Sequence, residues 1–293
     1  MKKSRFIKYF EWIVLVVIVF FLTKYTVELS SLDDLKPVTR AEKIIFIVGI
    51  LIITFIVLAV HELGHLLTGL FNGFRFELFV VGPLGIKRES DKIKVFLNKN
   101  LGYYGGVAAT TPVNNEEKNA QKFAWILLAG PISSIIFAFL CFIIAFSIGK
   151  PLGMVFILGG VMSFGIFLAT TVPSRTGMFF TDRKRFQRLI YPGKDREVEL
   201  AMLRILGTFT MDNSYKNIAL QDIELMVSDD YPMITYFGLF NLICYQLENK
   251  GIMEEKVMDK YKTVSKGMSR HLVKAFDKEI EKYKAHLKLN NSR

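Results

Sequence analysis

An apolar run of seventeen residues, Ile44 to Val60, ends on His61-Glu62-Leu63-Gly64-His65. A helix over that run is suited to hydrocarbon, yet it delivers three ionisable groups at its end. Two imidazoles four positions apart on a helix project from one face and can grip a single zinc ion. The carboxylate directly after the first of them is placed to take a proton from water beside that ion. The pentapeptide alone suggests a metalloprotease. Its position in a membrane-spanning segment suggests one that cuts peptide bonds within or beside the bilayer. The competing explanation is a buried helix whose histidines donate to backbone carbonyls. In hydrocarbon, each unpaired polar group costs several kcal/mol, so a metal is favoured. The chain has only four histidines, and the other two, His271 and His286, lie in a charged tail.

Composition agrees with a polytopic membrane protein. Half the residues (51%) are hydrophobic, 26 are phenylalanine, and the mean hydropathy is +0.32. The 293 residues leave room for a membrane unit and one small soluble domain. The net charge of +11 does not imply nucleic acid as a partner, because the basic residues flank the apolar spans or sit interleaved with acids in the tail. Positive-inside topology and an anionic lipid surface account for that pattern. Cys141 and Cys244 fall in separate segments without metal-site spacing, and no disulfide is expected between them.

Four spans are expected, at about residues 10–27, 44–70, 123–149 and 151–173. Lys2, Lys3, Arg5 and Lys8 precede the first. A cleaved signal peptide competes for that segment. Lys24-Tyr25-Thr26-Val27-Glu28 is a poor cleavage site, which favours an uncleaved anchor. The fourth span carries Gly153, Gly159, Gly160 and Gly165, suited to close helix packing. The connection between the second and third spans holds Arg75, Lys87, Arg88, Lys92, Lys94, Lys99 and Lys118, and Arg183, Lys184, Arg185 and Arg188 follow the fourth. Both basic segments are therefore expected in the cytoplasm, along with both termini, in a multi-pass protein of the cell membrane. From Ile44 to His61 is roughly 26 Å of helix against a hydrocarbon core of about 30 Å. The histidines should then lie inside the bilayer near its cytoplasmic face, where water can reach them.

Residues 74–112 do not read as helical. Phe74 to Val81 and Lys92 to Leu97 have strand character, Gly82-Pro83-Leu84-Gly85 reads as a turn, and Tyr103 to Ala108 as a third extended piece. Together they suggest a small sheet at the membrane interface near the metal, whose edge could pair with an unwound substrate; a sheet that merely plugs the bundle is the alternative. From about residue 185 to the end, helical periodicity over Glu197–Leu206, Gln221–Val227, Tyr236–Leu247 and Glu254–Leu287 suggests a cytoplasmic helical domain. The fold class expected is thus mainly α: a polytopic membrane unit (1–184) with a β-rich insert, followed by a helical domain (185–293).

A catalytic zinc usually takes three protein ligands and leaves a position for water. No third histidine exists in the membrane portion. Asp182 is favoured, since Pro173 ends the fourth helix and Gly177 lets the chain turn back. It is also a fitting N-cap for a helix through Leu189. Glu77 is the second candidate and Glu89 the third.

Four stretches resemble the site-2 protease family of intramembrane zinc metalloproteases. They are His61-Glu62-Leu63-Gly64-His65 within a span, Gly82-Pro83 with the downstream Gly105-Gly106, Ala129-Gly130-Pro131 opening the next span, and the proline-to-aspartate stretch ending at Asp182. The resemblance covers about residues 44–185. It implies one zinc ion held by His61, His65 and Asp182, with Glu62 as general base, and a membrane protein or peptide as substrate. Two positions depart from the family pattern: Arg183 stands where glycine is common after the aspartate, and Ser133-Ser134 where an asparagine is often found. Two other functional classes compete with a protease. A catalytically inactive relative would bind membrane peptides as a chaperone, immunity or regulatory factor. A metal transporter would need ionisable residues along a crossing path, which the other spans lack.

Overall fold

The computed structural model describes residues 34–89, 92–173, 175–176 and 179–291, so the span expected at 10–27 lies outside the described residues. Three described helices are long and apolar enough to cross a membrane: α1 (Arg40–Phe71), α2 (Asn119–Ser147) and α3 (Leu152–Thr171). Helix α1 starts before the apolar run because Thr39 and Glu42 form a capping box. The Glu42 amide donates to Thr39 Oγ1 at 3.2 Å, and Glu42 Oε2 accepts from the Thr39 amide at 2.9 Å. Its buried stripe runs Ile53, Val57, His61, His65, in steps of four. The metal-motif histidines therefore continue the line that packs against α2 and α3.

The opposite face of α1 leaves Ile44, Ile47, Val48, Leu51, Ile52 and Phe55 exposed, and α2 does the same with Ile136, Phe139, Ile143 and Phe146. Apolar surface this continuous suits lipid rather than water. Between the helices, small residues allow close approach. A Cβ on Gly159 of α3 would fall 2.5 Å from Ile53 Cγ1 of α1. Ala129-Gly130-Pro131, expected to open the third span, instead lies inside α2, which begins at Asn119. Pro131 lacks an N–H, so one intrahelical bond is missing in the middle of that helix.

Between α1 and α2 lies a four-stranded antiparallel sheet, β1 (Arg75–Val81), β2 (Leu84–Glu89), β3 (Lys92–Leu97) and β4 (Val107–Thr111), in the order β3-β2-β1-β4. The turn expected over 82–85 is shorter than that. Val81 pairs with Leu84 across Gly82-Pro83, with Gly82 at φ +56°, and Leu84 already belongs to β2. Strand β2 has weak intrinsic strand character and is held by neighbours on both sides. The extended piece expected over 103–108 is also displaced. Leu101–Tyr103 is a short 3-10 turn, Gly106 takes φ +101°, and the strand starts at Val107.

After α3 the chain forms a minimal two-stranded ribbon, β5 (Arg175–Thr176) with β6 (Phe179–Phe180), and enters α4 (Asp182–Ile190). Thr181 rather than Asp182 is the N-cap of α4. Five more helices follow: α5 (Lys194–Asp212), α6 (Leu220–Val227), α7 (Pro232–Lys250), α8 (Glu255–Ser265) and α9 (Arg270–Asn291). The charged stretch of helical periodicity over 254–287 forms two of them, α8 and α9. Their core includes Val198, Ile205, Ile223, Met226, Tyr236, Leu239 and Ile243. Cys141 and Cys244 are buried free thiols.

Candidate metal centre

His61 and His65 sit one turn apart on α1, their ring centroids 5.0 Å apart and the rings near perpendicular. Each ring is fixed through its Nδ1. His61 Nδ1 lies 2.9 Å from Ser134 Oγ on α2, and His65 Nδ1 lies 2.7 Å from the Ile126 carbonyl oxygen, also on α2. A carbonyl can only accept, so His65 carries its proton on Nδ1 and leaves the Nε2 lone pair free. The close packing that permits this is specific: a Cβ on Gly130 would overlap the His65 imidazole. Glycine in the middle of α2 makes room for that ring.

The third group arrives from the start of α4. Asp182 Oδ2 stands 3.4 Å from His61 Nε2 and 3.4 Å from His65 Nε2. That oxygen is buried and has no hydrogen-bond partner. A buried carboxylate oxygen left unpaired is costly unless something else satisfies it. Ligand atoms held about 2.0–2.1 Å from a tetrahedral zinc ion are about 3.3 Å apart from one another, close to the spacing seen here. The free Nε2 lone pair of His65, the neighbouring Nε2 of His61 and one orphaned carboxylate oxygen therefore fit a zinc ion. His61, His65 and Asp182 form a group that could hold a metal ion, with ligand atoms within 4.8 Å of one another.

Glu62 lies beside this group on the face of α1 that meets β4. The turn into β4 lies directly against it: a Cβ on Gly106 would come within 2.8 Å of its Cγ and Oε1. The positive φ of Gly106 lets the backbone turn into β4 over the glutamate.

The other carboxylates weighed from the sequence are not brought to the histidines. Glu77 on β1 accepts from Arg75 Nε at 2.7 Å and from Thr111 Oγ1 at 2.8 Å. Glu89, at the end of β2, pairs with Lys94 Nζ at 2.8 Å. His271 and His286 belong to α9. The supporting shell was not anticipated. Ser134 appeared only as a departure from a family asparagine, and Gly130 only as part of a motif. The signal available was their spacing: four residues apart, they lie on one face of α2.

No curated protein and no solved structure matches the chain. The family model for peptidase family M50 matches residues 48–290, from the apolar half of α1 through the histidines, the sheet and Asp182 into α9. The chain belongs to that family, the site-2 protease family.

Proposed function

We propose that this protein is an intramembrane zinc metalloprotease that hydrolyses peptide bonds of membrane-embedded or membrane-proximal peptides. One observation carries the proposal above the others: His61, His65 and an unpartnered Asp182 oxygen converge beside Glu62 at the end of an apolar helix. Family membership supports it independently.

His61 Nε2, His65 Nε2 and Asp182 Oδ2 would hold the ion. A zinc ion there supplies Lewis acidity, making water a stronger acid and a peptide carbonyl a better electrophile. Glu62 takes the proton from the attacking water and returns it to the leaving amine nitrogen. Ser134 and the Ile126 carbonyl keep the two imidazoles aimed, so that no reorganisation is needed during the reaction. Strand β4 ends the sheet order beside Glu62, and its edge not paired with β1 is where an extended peptide would add. An unwound substrate segment would recover there the backbone hydrogen bonds it gives up in lipid. The membrane unit is assigned to residues 1–184 with both basic connections in the cytoplasm, and the helices after 185 to a cytoplasmic domain.

The test is proteolysis in vesicles. The full-length protein, reconstituted with zinc and a set of single-span peptides, should release fragments cut within or next to the span. Glu62→Gln should lower that rate by about 10²- to 10⁴-fold while zinc stays bound. Cleavage by Glu62→Gln at the wild-type rate would overturn the assignment.

A further inference from the structure

Helix α4 has nine residues, too few to hold its conformation or its place unaided. Its first residue is Asp182. At the amino end, Thr181 Oγ1 donates to the Val172 carbonyl at 2.9 Å, tying the cap to the end of α3. The other end is gripped by charge. Arg188, about 9 Å along the helix from Asp182, is only 2% exposed and is shared among three carboxylates. Its Nε lies 3.0 Å from Glu199, its Nη1 2.7 Å from Asp195 and its Nη2 2.7 Å from Asp229. The guanidinium also stacks over Phe180, 4.8 Å from the ring centroid.

The partners of Arg188 are themselves fixed. Glu199 is 1% exposed on α5 and takes a second bond from Arg185, whose guanidinium lies over Phe123 of α2. Asp229, between α6 and α7, accepts from the Tyr231 amide at 2.6 Å. Replacing such a buried ionic network by apolar side chains is often neutral or favourable for stability. What the network does supply is one fixed rotation and height for α4, because a three-sided charged fork accepts little displacement.

We propose that Arg188 is a positioning residue for Asp182. Through it the helices after residue 190 set where the Asp182 carboxylate stands relative to His61 and His65, so the C-terminal helices are mechanically part of the metal centre. The inference rests on the assignment of those three residues as zinc ligands. It predicts that loosening the fork weakens metal binding in a protein that is still folded.

The experiment uses the full-length protein in detergent, with zinc affinity measured by chelator competition, the visible spectrum recorded with Co²⁺, and melting followed alongside. Arg188→Met should weaken zinc by about tenfold or more, in the range seen when groups supporting a metal ligand are removed. It should also diminish the absorption of tetrahedral Co²⁺, and Arg188→Lys should recover part of both. Asp229→Asn, which leaves Arg188 two carboxylates, should shift both in the same direction by less, and it carries the test if Arg188→Met does not fold. Wild-type zinc affinity and Co²⁺ spectrum in folded variants, with only melting lowered, would overturn the proposal and leave the ligand assignment standing. A wild-type protein that binds no zinc would overturn both.

Discussion

His61 and Ser134 meet across the α1–α2 interface with Nδ1 2.9 Å from Oγ, and Ser134 is wholly buried. The same residue's carbonyl accepts from Ser163 Oγ at 2.8 Å, so α3 secures the backbone that secures the ring. A group of this kind fixes the tautomer and orientation of a ligating histidine. Ser134→Ala should therefore weaken zinc by about 10- to 100-fold, read by chelator competition. An unchanged affinity would mean that the helix alone orients His61.

Gly130 and His65 give a steric counterpart. A methyl group at position 130 cannot coexist with the imidazole in its present place. Overpacking of this kind typically costs about 1–3 kcal/mol and moves the softer group. Here that group is the ring. Gly130→Ala should lower both the melting temperature and zinc occupancy, whereas a loss of stability with full occupancy would show that α2 yields instead.

Gly106→Ala separates the base from the metal. The substitution puts a Cβ into a positive-φ position, within 2.8 Å of Glu62 Cγ and Oε1, and its three nearest neighbours all belong to Glu62. Zinc content should remain near wild type while peptide cleavage falls by about tenfold or more, since a displaced proton acceptor forfeits much of its contribution. Both quantities are measured on the same preparation.

The β2–β3 hairpin has an apolar face that nothing among the described residues covers. Leu84 is paired with Leu97 and Ile86 with Val95, and Val95 and Leu97 are 74% and 70% exposed. Lys87 and Lys94 pair on the other face. An amphipathic ribbon beside spanning helices suits the membrane interface. A fluorophore on Val95→Cys should be quenched by brominated lipid in vesicles; full accessibility to an aqueous quencher would place the hairpin in water.

Much of the candidate metal centre was legible in the sequence because its parts are local. His61, Glu62 and His65 are fixed relative to one another by helical spacing alone. Asp182 was harder. Its approach depends on a proline, a two-residue ribbon and the N-cap of a short helix, and what carried it was the shortage of other ligands combined with the family pattern. Ser134, Gly130 and Gly106 went unassigned because their roles arise only when α2 and β4 are laid against α1. Strand β2 was missed for a related reason: Leu84 to Glu89 has little strand character of its own and is held by pairing on both sides. Pro131 lies inside the span expected at 123–149, as a spanning helix tolerates.

The central claim is that two imidazoles of α1 and the first residue of α4 share one zinc ion. Metal content of purified full-length protein addresses it directly. The account predicts about one zinc per chain for the wild type and for Glu62→Gln, with loss in His65→Ala and in Asp182→Ala, since structural and catalytic zinc sites rarely hold with two protein ligands. Undiminished zinc in Asp182→Ala would contradict it and return Glu77 to consideration.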